Sequence, residues 1–192
     1  MLLFFASIFA FMTSAVQGMG RSLLMDKLGF DAAAITSTVA VSGLITLPFP
    51  LMLGWLSDRL GRKPLIIFCY LASTMSLLIL AGSVNLWHFW VSTALQTLVG
   101  ASLAVGSALV TDLVSPEALG SGLSLLGATN SIGLVIGNAA TGAAIQNLGM
   151  TPTLVVGAFV ALVAIALLVP IRRQTSGHAA IANNISPVFE IR

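Results

Sequence analysis

The sequence predicts an all-α protein that crosses a membrane with six helices. Hydrophobic residues make up 57% of its 192 positions, and charged residues only 7%. A soluble domain carries about 25% charged residues, so this chain could not cover a water-facing surface. Its apolar residues fall into six runs, and each run is close to the ~20 residues that one helix needs to cross a bilayer.

The six predicted spans follow one another with short polar connections. The first begins directly after Met1 and lacks the charged segment and cleavage site of a secretory signal, so we expect it to remain as a span. A chain that enters the bilayer at its first residue is also expected to be a piece of a longer one. The domain is predicted to cover residues 1–171, and a cytoplasmic C-terminal tail to cover residues 172–192. The spans are residues 2–19, 32–55 (with Pro48 and Pro50), 64–82, 87–110, 119–145 (rich in Gly and Ser) and 152–171.

Lysine and arginine predict the orientation of these spans. The connection after span two and the tail together hold six basic residues, whereas the opposite side holds only Arg21 and Lys27. Cytoplasmic loops are enriched in basic residues, so both termini are expected in the cytoplasm, with the chain in a plasma or inner membrane. The basic residues are spread over separate connections, which favours membrane-edge anchors over nucleic-acid binding.

Charge placement also predicts what the spans lack. All fourteen charged residues are assigned to connections, the tail or span ends. An ionisable group within a membrane usually marks an ion or proton path, so any coupling carboxylate is expected on another chain or in a further part of the protein. His88 lies between Trp87 and Trp90. We favour a residue that lies at the membrane interface without a direct functional role over a proton-handling group.

One charged motif, residues 54–66, interrupts the apolar chain between spans two and three. It reads Gly-Trp-Leu-Ser-Asp-Arg-Leu-Gly-Arg-Lys-Pro-Leu-Ile. A charged stop between two helices would explain Arg62 and Lys63, but not the paired glycines or the Asp-Arg step. The motif resembles the signature of the major facilitator superfamily, Gly-x-Leu-(Ala/Ser)-Asp-Arg-x-Gly-Arg-(Arg/Lys)-x-x-(Leu/Ile), at all nine of the positions compared.

This resemblance implies half of a major facilitator fold, in which two three-helix units form an inverted repeat. Spans one and four would line a cavity, two and five would flank it, and three and six would face lipid. The implied function is transport of a small solute by alternating access in a secondary active transporter, with protons as the candidate coupling ion. The implied partners are the solute, the bilayer, and the missing six-helix half or a second copy. The short lead-in and the terminal tail favour the C-terminal half.

The resemblance also implies a gate built on the charged motif. Gly61 permits the positive φ that a tight turn needs, and Gly54 permits close helix approach. Asp58 would cap a helix of the opposing half, where negative charge is favoured. Arg59 and Arg62 need acidic partners, for which Asp112 is the first candidate and Glu117 the second. The candidate gating residues are Gly54, Asp58, Arg59, Gly61, Arg62, Lys63 and Asp112.

Span five carries a weaker resemblance. Many family members have Pro-x-x-x-Arg-Gly at its start, but here Leu119 stands in the arginine position. Some drug-efflux members have a Gly-Pro pair later in the span, but here Gly137 precedes Asn138, so that antiporter signature is not met. Gly133 and Gly137 are four residues apart, which predicts a close-packing helix face.

Polar residues in spans one, four and five are the candidate solute ligands. Gln17 and Asn130 have the strongest claim, because buried amides are costly unless paired and can bind polar ligands. Each of these residues could instead make only an interhelical hydrogen bond. The candidate cavity residues are Thr13, Gln17, Gln96, Asn130 and Asn138, with Gly100, Ser107 and Thr141 on the same predicted faces.

No enzyme is predicted from this sequence. It contains no recognisable metal cluster, nucleophile–base set or phosphate-binding loop, so we expect no metal, no cofactor and no catalytic residues. The alternative to a transporter is a non-transporting six-helix membrane protein, such as an assembly or sensory subunit on the same fold.

Overall fold

The computed structural model describes residues 2–169, except for the side chains of Leu2, Pro50, Asp58, Asp112 and Leu113. Every regular element within that range is a helix. The predicted tail, residues 172–192, lies outside the described residues. The seven α-helices are α1 (Leu2–Lys27), α2 (Ala32–Thr46), α3 (Phe49–Leu60), α4 (Arg62–Ala81), α5 (Leu86–Leu113), α6 (Leu119–Leu148) and α7 (Met150–Leu168), with a 3₁₀ turn at Pro116–Ala118.

The prediction of six spans is consistent with these helices. Five of the described helices are long and apolar enough to cross a membrane. A sixth span is present if α2 and α3, which are bent by 46° at their junction, are counted together. Pro48 lies at this junction and Pro50 in the first turn of α3. Proline cannot donate the backbone hydrogen bond that a continuous helix requires, so a bend is expected there.

The first span is longer than predicted. We expected it to end near Met19, with Arg21 in a polar connection, but α1 continues to Lys27 and the chain turns only at Gly29, which has φ +78°. The apolar pattern resumes after Arg21, and Met25 is fully buried, so packing extends the helix past the charge. The prediction that Arg21 lies in a polar connection was therefore wrong, because it lies in the last third of α1.

The charged motif is also more helical than predicted. We expected a loop between spans two and three, but residues 54–60 belong to α3 and residues 62–66 to α4. Gly61 alone separates the two helices, with φ +91°. One residue in a conformation that favours glycine is enough to reverse the chain here. Likewise, the predicted connection at residues 146–151 shrinks to Gly149, with φ +89°.

The first helix lies at the centre of the bundle. It packs most extensively against α6 and α7 and also contacts α4 and α5. Helix α4 packs against α5 and α7, and both α2 and α3 lie against α5. The larger apolar cluster is at the end of the bundle that carries the charged motif, and a smaller one around Phe89 and Leu154 is at the other end.

Two glycines bring α1 and α6 together. A Cβ atom added at Gly133 would lie 2.6 Å from the Ile8 carbonyl oxygen, and one at Gly137 would lie 2.8 Å from the Met12 Cα. Only glycine permits such an approach. The prediction of a close-packing face at these two positions is therefore confirmed.

Large apolar side chains cover the outside of the bundle. On α4 and α7 they form outward faces that include Phe68, Met75 and Phe159, each more than half exposed. Neither helix contributes to the cavity described below. In water such faces would be a liability, whereas in a bilayer they are favourable contacts with lipid, and the predicted role of spans three and six agrees with this placement.

Candidate solute cavity and charged motif

A cavity of about 330 Å³ opens between four helices. Its size is at the lower end of the range for small-molecule sites. The lining comes from α1, α2, α5 and α6, and nine of its thirteen residues have polar side chains. The lining residues are Phe11, Ser14, Gln17, Arg21, Ser42, Thr46, Thr93, Gln96, Thr97, Gly100, Ala101, Asn130 and Leu134.

The first helix contributes one polar stripe to this cavity. Ser14, Gln17 and Arg21 are spaced by three and four residues, which places them on one helix face. Gln17 is only 3% exposed, and Arg21 is half-buried. The Arg21 Nη1 donates to the Thr93 Oγ1 at 3.2 Å. This contact joins α1 to α5 across the cavity.

A hydrogen-bond network fixes the opposite wall. The Gln96 Nε2 donates to the Ser14 Oγ at 3.0 Å, and the Ser73 Oγ donates to the Gln96 Oε1 at 3.0 Å. The hydroxyl of Ser73 also lies 3.0 Å from that of Thr13. Both ends of the Gln96 amide are therefore used for structure, and a network that is fully paired holds its side chains in place.

Three buried polar atoms of the cavity have no partner among the described residues. They are the Gln17 Nε2, the Arg21 Nε and the Asn130 Oδ1. A buried polar group without a hydrogen bond is costly, and these three belong to residues that line the same cavity. A molecule that enters the cavity would thus meet side chains that carry unpaired hydrogen-bonding groups and one positive charge.

The predicted cavity residues occupy different places. Gln17, Gln96 and Asn130 line the cavity, whereas Thr13 is fully buried behind it, against Ser73, and is not among the lining residues. Asn138 is exposed on α6, also outside the lining. Eight helical positions separate Asn138 from Asn130, a rotation of about 80° at 3.6 residues per turn. Their role as solute ligands stays a prediction.

Arg21 is one of the lining residues that we did not predict from the sequence. The spacing of Ser14, Gln17 and Arg21 was a usable signal, because it continues one polar face past the expected end of span one. Ser42 and Thr46 on α2 also line the cavity and were not predicted. Their spacing of four residues places them on one helix face. Ser42 and Thr97 bring their hydroxyls to 3.3 Å, which joins α2 to the same cavity wall.

The basic residues of the charged motif connect neighbouring helices. The Arg62 Nη1 donates to the Ala108 carbonyl on α5, and the Lys63 Nζ donates to the Val169 carbonyl at 2.6 Å. Val169 caps the C-terminus of α7, where a positive charge is favoured by the helix dipole. The Arg59 guanidinium lies 4.0 Å from the centre of the Trp55 ring, a cation–π contact.

Two of the predicted gating residues can be placed only by their backbone. Asp58 lies near the end of α3 and Asp112 in the last turn of α5, and both side chains are outside the described residues. The expected pairing of Arg59 and Arg62 with Asp112 thus stays a prediction. Within the part of the chain that the structure describes, no atom lies within 4 Å of a Cβ built at Gly54. The close approach expected there is not made by this chain's own described helices.

These features define the class of protein: a multi-pass helical membrane protein with a polar cavity. The family model of the Major Facilitator Superfamily matches residues 3–190. The chain therefore belongs to the Major Facilitator Superfamily.

Individual relatives agree with the family. A tetracycline resistance protein of class H from Pasteurella multocida is 32% identical over 46% of this chain and 22% of its own length. The class B protein from Escherichia coli is 30% identical over 52% of this chain and 25% of its own length. The inner membrane transport protein YajR of E. coli K12 is 30% identical over 78% and 33%. In each case the match spans at most about a third of the relative.

Proposed function

We propose that this chain forms one six-helix half of a secondary active transporter, which moves a small solute across a membrane by alternating access. The observation that carries the proposal is the polar cavity between α1, α2, α5 and α6. Family membership supports it, since solute sites in this family lie between the helices of two such halves. An enzyme is not proposed.

The unpaired atoms of the cavity support a solute-binding role. A bundle that served only to assemble or to sense would gain stability by pairing or removing Gln17 Nε2 and Asn130 Oδ1, because each unpaired buried group costs about 1–3 kcal/mol. A solute that offers complementary groups would recover that loss while it is bound. Gln17 and Asn130 are therefore our leading solute ligands, and Gln96, already paired at both ends, is assigned to the wall.

Helix α6 supports the need for a second half. Only 17% of the residues along its apolar stretch are buried, against 39–56% in the other single-helix spans. Its exposed surface includes Gly127, Ser131 and Asn138, and small or polar residues usually face other helices rather than lipid. We assign this surface to contact with the missing half or a second copy, and the present chain to the C-terminal half.

The charged motif is proposed as a conformational latch. Arg62 and Lys63 attach α4 to α5 and α7, while Asp58 on α3 is positioned by its place in the motif to cap a helix of the other half. We expect Asp58→Asn to reduce transport strongly while expression and membrane insertion stay normal. The measurement is solute flux per inserted protein.

Asp31→Asn is the matched control for this variant. Asp31 caps α2 by accepting a hydrogen bond from the Ala34 N–H at 2.8 Å, and asparagine caps helices as well as aspartate does. Flux should therefore be unchanged in the control. Loss of insertion in Asp58→Asn would instead assign the residue a purely topological role.

We place the motif side of the protein, with both termini, in the cytoplasm of a plasma or inner membrane. The bias of six basic residues to two supports this orientation. Protons are the proposed coupling ion, with the coupling carboxylate outside the described spans. Reporter fusions after residue 169 and within residues 28–31 should give opposite cytoplasmic and external signals, and equal signals would contradict the orientation.

Flux measurements test the transport proposal directly. The chain, alone and co-expressed with a six-span partner half, would be reconstituted in vesicles with an imposed proton gradient. Tetracycline is the first probe, because two relatives carry it in their names, and succinate is the second. We expect gradient-driven flux that a protonophore abolishes. Absence of flux for both probes in every combination would favour the assembly or sensory alternative.

A further inference from the structure

Arg21 places a positive charge on the wall of the cavity. It lies six residues before the end of α1, about 9 Å along the helix at 1.5 Å per residue. We propose that the cavity takes a small organic anion and that the Arg21 guanidinium binds its carboxylate. This inference rests on the proposed function, because it specifies the solute class of the same site.

The hydrogen bonds within the protein do not occupy all the donors of the Arg21 guanidinium. It has five N–H donors, of which Nη1 donates to Thr93 and Nε has no partner among the described residues. An arginine near a helix end often extends its head group into the water beyond the membrane. Here the head group is held against Thr93, which is 3% exposed, so the charge faces the cavity.

Gln17 lies one turn before Arg21 and lines the same cavity. Its side chain is 97% buried and its Nε2 has no partner. A carboxylate has two acceptor oxygens, so the proposed anion has one acceptor for the Arg21 Nε and one for the Gln17 Nε2. Charge-assisted hydrogen bonds of this kind are about twice as strong as neutral ones. The unpaired donors and the charge therefore favour the same ligand group.

Nothing among the described lining residues neutralises this charge. The lining contains no Asp or Glu within the part of the chain that the structure describes. Asp26 is five positions after Arg21, about 140° around the helix, and is exposed. An uncompensated charge in a membrane is costly, and an anionic solute would compensate it on binding.

The neutral amides alone would not distinguish an anionic solute from a cationic one. The Gln17 and Asn130 carboxamides can each present an oxygen or a nitrogen by rotation, so they suit neutral, anionic or cationic ligands. Guanidinium only donates and is always charged. Arg21 is thus the specificity-determining residue, and a cationic solute of similar size is excluded by repulsion.

Thiol labelling in the cavity tests this inference on the whole chain without requiring transport. Gly100 lines the cavity, and no atom lies within 4 Å of a Cβ built there, so Gly100→Cys should fit. The native Cys69 is fully buried, and the parent chain measures its background. Labelling rates would be compared for an anionic and a cationic methanethiosulfonate reagent. Gly120→Cys, also without a neighbour within 4 Å and outside the cavity, is the control position.

Three probes with the same carbon skeleton then test which class of ligand protects the introduced thiol from labelling. The probes are succinate (a dianion), succinamide (neutral) and 1,4-diaminobutane (a dication). We expect succinate alone to slow labelling at Gly100→Cys, and the anionic reagent to react faster there than the cationic one, relative to Gly120→Cys. Arg21→Gln should abolish the reagent preference and weaken succinate protection about tenfold or more. In Arg21→Lys the anionic reagent should still react faster than the cationic one, but succinate should slow labelling less than it does in the parent.

Several outcomes would overturn the inference. They are protection by succinamide or 1,4-diaminobutane equal to that by succinate, no protection by succinate, or a reagent preference that survives in Arg21→Gln. Each is distinguishable from failure of the proposed function, because gradient-driven tetracycline flux would still show transport. Conversely, anion protection without flux of either probe would retain the binding site and favour the assembly or sensory alternative.

Discussion

At the scale of single residues, Gly61 and Arg21 have the most specific roles. Gly61 alone joins two helices, and its φ of +91° lies where side chains with a Cβ are strained. Arg21 is a charge that the surrounding helices hold towards a cavity instead of towards water. Both roles come from the position of a single residue and not from the average hydrophobicity of its neighbourhood.

Replacement of Gly61 should destabilise the fold. We expect Gly61→Ala to cost about 1–3 kcal/mol, the range for a strained backbone conformation, and to lower the melting temperature of the purified chain in detergent. Gly54→Ala is the matched control from the same motif. Gly54 is helical and has no described atom within 4 Å of an added Cβ, so its change should be neutral or slightly stabilising. Equal losses in both variants would contradict the role of the positive φ.

At the scale of helices, the contact between α1 and α6 depends on two glycines. The backbone of α1 occupies the space that side chains at Gly133 and Gly137 would need. The same contact positions the cavity, since Ser14 and Gln17 on α1 and Asn130 on α6 lie beside it. The packing face and the polar face of α1 are therefore adjacent surfaces of one helix.

Alanine at either glycine should separate these helices. We expect Gly133→Ala and Gly137→Ala each to cost about 1–3 kcal/mol, as overpacking of a tight contact does, with lower melting temperatures and weaker succinate protection. Gly127→Ala on the same helix has no atom within 4 Å of the added Cβ and should melt like the parent. A destabilised Gly127→Ala would show that helix propensity or detergent, and not close approach, controls the result.

The sequence predicts the helices better than it predicts the faces they present. Span number follows from apolar length, which is a sum over many residues and tolerates errors at single positions. The end of α1 was missed because one arginine outweighed the apolar residues that follow it, although Met25 is buried. Thr13 was expected in the cavity with Gln17, but it is about 80° away from Arg21 around α1, whereas Ser14 is only about 20° away. Which neighbour each face meets is decided by tertiary packing, as the contact of Thr13 with Ser73 shows.

At the scale of the whole molecule, the bundle has two kinds of outer surface. The faces of α4 and α7 are apolar and suit lipid, whereas the face of α6 mixes small, polar and apolar residues. Among the described residues the cavity wall comes from α1, α2, α5 and α6, which is consistent with a larger assembly that closes the other side. The proposed second half would cover both the cavity and the α6 face.

Cross-linking can test which surface meets a partner. We expect Ser131→Cys, on the exposed face of α6, to cross-link to a co-expressed partner half or to a second copy in native membranes. Met75→Cys, 59% exposed on the outer face of α4, is the control and should remain uncross-linked. Band size on a denaturing gel distinguishes the two kinds of partner. Equal cross-linking at both positions would indicate random collision in the bilayer and would remove the support that α6 gives to a second half.

The central position of α1 also has a consequence for how the bundle is made. Among the described helices α1 is synthesised before the others, yet its most extensive contacts are with α6 and α7, the last described helices. The surface of α1 that packs against Gly133 and Gly137 therefore stays without these partners until more than a hundred further residues have been synthesised. The same delay applies to the cavity residues that α6 provides near the buried Gln17. Contacts between such distant parts of a chain form slowly, so we expect assembly of this bundle to depend on late docking of α6 and α7 onto the earlier α1.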